Sequence, residues 1–543
     1  MHRFTSIASA SATVAIAAAA SATTVLTTGP SSSSSPYVVG VTNSPVREVV
    51  SIITVGDTIG GYQMLGIPDG MGAFMSGDDM KLFVNHEFTV AAASGKHAHQ
   101  TGSATGGGFI AAWTINPATF QVINGYDAMT STATVTAGTG SLQTFARLCS
   151  GDVAATLAYY NPATGRGSND RFYLTGEESG AGGRMLATDL DTGVVHQMTA
   201  FDPSSGSWEN GVARPMESDT TVVIGTSDGG ANRVFVYIGT KQSTGNAAER
   251  AGLMNGTSYG IQVQVGGSNV STESRDFCFS SSAPAVFSGR FTLAAGGTAA
   301  GTGFLRPEDG AWDPMNPRDF YFVNTDRMST TSAGAAQSHA SRLFRLRFDN
   351  VNDPAAGGTI EAVLDGTDVM EMGDNLCVYN TIQGGTRVLL QEDPGNHPHS
   401  AKTLVYDADT DSLQVILASD SARFGDTGVG ATSPFTIDEE NSGVVDARDT
   451  LGLGWFMGNM QAHYALPAPM IEGGQLYAFF SPQLVGSCDQ DLSPTLDAAI
   501  NGEDLAMLCL GWGSSGRTDL NGDNTTDAGD LSELLLSWGD CAQ

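Results

Sequence analysis

The residues in this chain best placed to do chemistry are carboxylates that follow short apolar runs. Leu82 to Val84 leads into Asn85-His86-Glu87, and Phe172 to Leu174 into Thr175-Gly176-Glu177-Glu178. Val222 to Ile224 leads towards Asp228, Phe320 to Val323 towards Asn324-Thr325-Asp326, and Val388 to Leu390 into Gln391-Glu392-Asp393. A sixth run, Leu476 to Phe480, lacks the acid. If the acid-bearing ends converge, two anions about 4 Å apart repel by about 4 kcal/mol at an effective dielectric of 20. Such a group must bind cations or raise its pKa values. Metal binding, with hydrolysis at the bound metal, is the chemistry this pattern would support.

Neighbouring motifs add to the set. Arg214-Pro215-Met216-Glu217 and Arg306-Pro307-Glu308-Asp309 are two R-P-x-acid variants, and Gly373-Asp374-Asn375-Leu376 precedes the Glu392-Asp393 pair. Asp438-Glu439-Glu440-Asn441-Ser442-Gly443 and Met460-Gln461-Ala462-His463 follow. The candidate axial ligands are Glu87, Glu177, Glu178, Glu217, Glu308, Asp374, Glu392 and Asp393. Arg214 or Arg306 could clamp an anionic group bidentately, with Glu308 at the reaction centre, or either arginine could bridge to a neighbouring blade. Arg184 is a third such arginine. His86 sits beside a candidate ligand and could itself ligate, and the His397-Pro398-His399 pair could bind metal or lie in a loop; a lone strand-end histidine, as at His463, reads first as a hydrogen-bonded core residue. No G-x-S-x-G elbow and no phosphate-binding G-x-x-x-x-G-K loop is present, which argues against serine-hydrolase and nucleotide chemistry.

Near the C-terminus the pattern changes. Asp504 to Gly513 repeats as Asp530 to Gly539, an offset of 26 residues. Apolar residues at helical spacing, Leu505, Leu508, Cys509 and Trp512, then Leu531, Leu534, Leu535 and Trp538, predict two helices with facing stripes. Before the second lies Asp519-Leu520-Asn521-Gly522-Asp523-Asn524-Thr525-Thr526-Asp527, closed by Asp530. Oxygen side chains at Asp519, Asn521, Asp523, Thr525, Asp527 and Asp530 have the spacing of an EF-hand calcium loop. The first copy keeps Asp489, Asp491 and Asp504, with four extra residues.

The elements that must position the axial acids are strands. Runs of four to six β-formers bounded by Gly, Pro and Asp give an all-β body. Gly is 68 of 543 residues and charged residues only 15%, which suits short strands and tight turns. Radial repetition of small antiparallel sheets, a propeller, would bring one end of each inner strand to a shared axis. The net charge of -32 excludes a phosphate backbone as a natural partner and makes cations the expected counter-species.

His2 and Arg3, a short apolar stretch and Ala20-Ser21-Ala22 read as a secretory signal peptide over 1–22, too short for a membrane anchor. Residues 23–39 are Ser/Thr-rich and read as a flexible linker. The body then spans 40–482 and the paired loops 488–541. The expected location is extracytoplasmic, in the periplasm or at the cell surface. Of six cysteines none forms C-x-x-C, and Cys488 and Cys541 bracket the tail as a candidate disulfide.

The ordered set Asn85-His86-Glu87, Glu177-Glu178, Glu217, Arg306-Pro307-Glu308, Asp374-Asn375-Leu376 and Glu392-Asp393 resembles the PhoX-like alkaline phosphatases, in a less characterised branch. The resemblance implies a six-bladed β-propeller with calcium and iron at its axis that hydrolyses phosphomonoesters. The family's iron-binding cysteine before the paired glutamates is Gly176 here, which counts against iron, and no twin-arginine leader is present. The tail resembles dockerin-like repeats, a small all-α calcium-loop module implying attachment to a cohesin-like or cell-surface partner. Two alternatives stay open: a non-catalytic calcium-binding propeller, and a calcium-dependent esterase or lactonase.

Overall fold

In the computed structural model, residues 24–541 are described apart from 90–106, 327–340 and short breaks at 136–137, 141–142, 181, 202–205, 230, 276, 298–299, 396 and 524. The expected leader at 1–22 lies outside the described residues. Most of the regular structure is strand, and the body is propeller-like.

Six strands line a common axis, each packed against the next and the last against the first: Pro68–Ser76, Leu148–Asp152, Trp208–Ala213, Pro307–Trp312, Gly373–Asn380 and Glu439–Asp446. Four of them begin separate sheets of four to six strands. The other two, Trp208–Ala213 and Pro307–Trp312, are the opposite edges of one continuous ten-stranded sheet. Ser288–Ala294 fuses it by pairing with Thr257–Val265 on one side and Gly358–Leu364 on the other.

Two expectations are therefore corrected. The body is not a set of six separate blades, because the two units between Trp208 and Leu364 share the strand Ser288–Ala294. The tail is not an all-α module. It has two nine-residue helices, Gly502–Leu510 and Ala528–Leu536, and a strand pair, Ala499–Ile500 with Gly539–Asp540, closed by a Cys488–Cys541 disulfide. The apolar stripes also bury less than their spacing suggested. Leu508 and Leu534 are buried, whereas Trp512 and Trp538 are each 50% exposed.

Sequence explains the rest of the packing. Second strands such as Phe172–Glu177 sit between neighbouring sheets and are buried along their whole length, which is why they read as unbroken apolar runs. Edge-to-face aromatic pairs, Trp208 with Phe235 and Tyr159 with Phe172, fill the space between layers. The Ser/Thr-rich segment expected as a linker lies instead along the body. Val25–Thr28 pairs in parallel with Glu48–Thr54, Val38–Gly40 pairs with Ser412–Ser419, and the Ser51 hydroxyl donates to the Ser34 carbonyl. Glu48–Thr54 then pairs with Glu472–Phe480, so the start of the body closes onto its end.

Candidate metal centre

A repeated backbone device builds the site. Ile67, Arg147, Ser207, Arg306 and Met372, each immediately before an axial strand, have φ of 51°, 49°, 50°, 57° and 51°. Left-handed backbone at a non-glycine residue costs of order 1–3 kcal/mol and persists where the surroundings impose it. Each is followed by a register shift against the second strand, between Pro68 and Met71, Leu148 and Gly151, Trp208 and Gly211, Pro307 and Gly310, and Gly373 and Leu376. Such bulges re-aim side chains. Here they present Asp69, Cys149, Glu209, Glu308 and Asp374 at equivalent positions around one end of the axis.

Three groups of candidate ligand atoms result, each with its members within 4.8 Å of one another: Asp69, Cys149 and Glu209; Glu87, Cys149 and Glu178; and Glu209, Glu308 and Asp374. Cys149 belongs to two groups and Glu209 to two, so the three are contiguous. The third is all carboxylate and suits a hard cation such as calcium. The two that share the Cys149 sulfur add a soft donor, which suits iron or zinc. The donor set therefore fits a mixed cluster.

The second strands decide which of the paired acids join in. Their ladders end at His86, Glu177, Ser227, Asn324 and Glu392, opposite the first residue of each axial strand. Side chains alternate along a strand. The following residues, Glu87, Glu178, Asp228 and Asp393, face the basin, and those at the ladder ends turn away. Glu177 is taken by the Arg184 guanidinium and the Ala146 N–H. Glu392 accepts from His399 at 2.8 Å and from the backbone of Glu371 and Lys402. Neither is placed to ligate at the axis, contrary to expectation.

Arg214 and Glu217 are also displaced. They follow the far end of Trp208–Ala213, about 16 Å along the strand from Glu209, and Glu217 is exposed. Arg306 does stand over the acids, 2.8 Å from Asp228 and 3.2 Å from Glu308. Its counterpart, Arg147, was not singled out in the sequence. It bridges Glu87 at 2.5 Å and Glu178 at 2.6 Å. Both guanidiniums are about two-fifths exposed, so the basin opens between them.

A second polar layer, Ser150, Asn210, Asp309 and Asn375, lies one residue further along four of the bulges. The Ser150 hydroxyl and N–H donate to Glu209 at 2.6 and 3.0 Å, and the Asn375 amide donates to Ser150 at 2.8 Å and Asp69 at 3.3 Å. These bonds cross strand boundaries and fix the acids from below. Gly176 has no room for a side chain, because a Cβ there would run into the carbonyl of Trp208. The thiol near the centre comes from Cys149, on the adjacent strand, and not from position 176.

Electrostatics follow from this crowding. Burial, then Glu209, Glu87 and Glu440, raises Asp69 well above the usual carboxylate range. Burial, then Asp228, raises Glu308, and burial, then Glu308 and Glu440, raises Asp374. Glu209 is pushed up to about 8, by burial first and Glu178 next. Burial lifts Glu178 and Asp393 to about 7 against the pull of nearby cations. Without cations the cluster holds protons near neutrality.

Asp69, Cys149 and Glu209 escaped the sequence reading, and Glu440 was named there within a motif but not among the ligands. The available signal was the acid or thiol one residue into each axial strand, upstream of an apolar run. Glu209 and Asp228 are 19 residues apart, as are Asp374 and Asp393.

In the tail, the loop from Asp519 wraps its own carboxylates. Asp519 accepts from Gly522 and Asp523, Asn521 from Asp523, and Asp523 from Thr525. Buried Asp530 accepts from Leu520, Asn521 and Asp527, and Asp527 caps the helix through the Gly529 N–H. Asp504 makes the matching bonds to Leu492, Ser493 and Asn501. The first copy thus begins at Asp491, not Asp489, and carries two extra residues rather than four. Among the described residues no three tail acids bring their oxygens within 4.8 Å of one another.

No protein-family profile matches the chain, and no curated protein matches it. Among solved structures it is similar to Pseudomonas fluorescens PhoX in complex with vanadate, with a TM-score of 0.48 and 12% identity over 77% of this chain and 89% of that one. It is similar to a protein of unknown function from Dyadobacter fermentans, with a TM-score of 0.41 and 6% identity over 80% and 99%. It also resembles a Penicillium chrysogenum α-L-arabinanase complexed with arabinobiose, with a TM-score of 0.38 and 6% identity over 76% and 93%.

Proposed function

We propose that the chain is a metal-dependent phosphomonoesterase working at the axial basin. The observation that carries this reading is the contiguous set of three ligand groups sharing Cys149 and Glu209, flanked by two arginines at its opening. Asp69, Glu209, Glu308 and Asp374 would hold calcium, and Cys149 with Glu87 and Glu178 an iron- or zinc-like ion. Bound cations would polarise a phosphate ester and supply a metal-activated oxygen nucleophile. Arg147 and Arg306 would orient the phosphate once cations have taken over the carboxylates they now pair with. Ser150 and Asn375 hold the ligands in place, so little rearrangement is needed on loading.

A chromogenic phosphomonoester tests this with calcium plus ferric iron or zinc, followed by chelation. Turnover that chelation abolishes and metal restores is expected. No turnover under any metal regime, with metal bound, leaves the calcium-stabilised binding propeller, which the pairing of both arginines to acids also favours. Turnover of carboxylic esters alone would point to the esterase reading.

A further inference from the structure

The sixth axial unit departs from the other five at the rim of the basin. In those five, one pair of residues lies outward of the bulge and the ladder then stops. In the sixth the bulge falls between Ser442 and Val444, and beyond Ser442 the ladder runs on for three further pairs, to Glu439 opposite Ala462. This unit therefore extends outward past the level at which the others end. Residues two apart on a strand share a face, so Glu440 follows Ser442 and His463 follows Gln461 along one side of the extension. That side looks onto the basin, because the Gln461 amide donates to Glu440 at 2.8 Å and to the candidate ligand Glu87 at 3.3 Å.

His463 is held by one nitrogen. Its Nδ1 lies 2.6 Å from Glu472, at the start of Glu472–Phe480, whereas its Nε2 stands 3.6 Å from Glu440, beyond good hydrogen-bond reach. The ring is 23% exposed, unlike a core histidine, and Glu440 belongs to none of the three ligand groups. Burial works to lower the pKa of the ring, but the two flanking carboxylates push it up to about 11, so it carries a proton at neutral pH. With Arg147 in the second unit and Arg306 in the fourth, His463 makes a third cation on the rim.

We propose that His463 donates the proton to the leaving group of the phosphomonoester, with Nε2 turned to the basin and Nδ1 anchored by Glu472. This role rests on the phosphomonoesterase reading above. As the oxygen of water bonds to phosphorus, the ester P–O bond breaks and the departing oxygen takes the Nε2 proton. The proton given up by the water passes to the basin carboxylates, and solvent returns one to the part-exposed ring. A histidine that merely tied Glu439–Asp446 to Glu472–Phe480 would be indifferent to the leaving group.

The whole chain, loaded with calcium and with iron or zinc, would be assayed on ethyl phosphate and on 4-nitrophenyl phosphate by released inorganic phosphate. His463→Gln should lower kcat/KM for ethyl phosphate by about 100-fold or more. For the nitrophenyl ester, whose leaving group departs unprotonated, the loss should stay under about tenfold, with bound metal unchanged by elemental analysis. Equal losses on the two esters, or none, overturn the role and leave the phosphomonoesterase reading standing. An unaltered chain that turns over only the nitrophenyl ester has no working proton donor and overturns the role as well. One that hydrolyses neither ester overturns the reading itself, and the role with it. Should His463→Gln fail to fold, Glu472→Gln decides by the same comparison, since it keeps a partner for Nδ1 and removes the charge. It too must cost the ethyl ester more than the nitrophenyl ester.

Discussion

Replacing Cys149 by serine exchanges a soft, polarisable donor for a hard one of nearly the same size. The two ligand groups that contain its sulfur should then lose iron or zinc, while the all-carboxylate group of Glu209, Glu308 and Asp374 keeps calcium. Elemental analysis after dialysis is expected to show transition-metal content falling about 100-fold in occupancy-limited conditions, with calcium unchanged. Equal loss of both would mean one indivisible cluster. Glu308→Gln acts differently, because it removes a buried charge crowded by Asp228 and Glu209. Phosphomonoester turnover should vanish, and the metal-free protein should become more stable. A variant that turns over at the parental rate places the chemistry elsewhere. The parity of Glu177 and Glu178 carries the lesson at this scale: adjacent acids in a strand cannot both face one point, and only register against Leu148–Asp152 says which one does.

The axial strand with its left-handed first step and bulge is the element that makes the site. Its second strand must approach closely, which is what Gly176 permits by leaving the Trp208 carbonyl unobstructed. Gly176→Ala should destabilise by about 1–3 kcal/mol through forced backbone movement, read as a lowered urea midpoint. Gly176→Cys should do the same without improving iron retention, and improved retention would contradict the role assigned to Cys149. In the tail, Asp530 accepts three backbone N–H groups at no cost in exposure. Asp530→Ala orphans these donors, of which the Leu520 N–H is buried, at about 1–3 kcal/mol. Faster amide exchange confined to 519–541 is expected, along with lost luminescence from bound terbium. Unaltered terbium binding would remove this loop as a calcium site.

The whole molecule pays for its crowded acids in pH dependence. Glu209, Glu178 and Asp393 titrate at about 8, 7 and 7 when folded, against about 4 when unfolded. The folded state therefore binds more protons between about pH 4 and 8, and metal-free stability falls as pH rises through that window. Calcium displaces those protons, so its apparent affinity should climb across the same range, by about tenfold per pH unit for each proton released. Thermal unfolding with and without chelator from pH 5 to 9 checks both, and a flat metal-free profile would contradict the cluster. Much of this body was legible in the sequence: the apolar runs are second strands, and the acids after them mark the basin. The axial strands were not, because Leu148–Asp152 and Trp208–Ala213 are short, glycine-bearing and polar at the bulge, and so lack the alternation that identifies a strand. The fusion through Ser288–Ala294 was invisible for another reason, since its pairing with Gly358–Leu364 joins residues 67 or more apart and leaves no local trace. No helix among the described residues is long and apolar enough to cross a membrane.

The clasp between Glu48–Thr54 and Glu472–Phe480 has a temporal consequence. Its two halves are among the first and the last pieces of the body that a ribosome would deliver. Until the later half arrives the circle stays open, and Asp69 lacks Glu440, the acid that the last axial strand brings beside it. The complete ring of acids exists only once the chain has closed, in whichever compartment that happens.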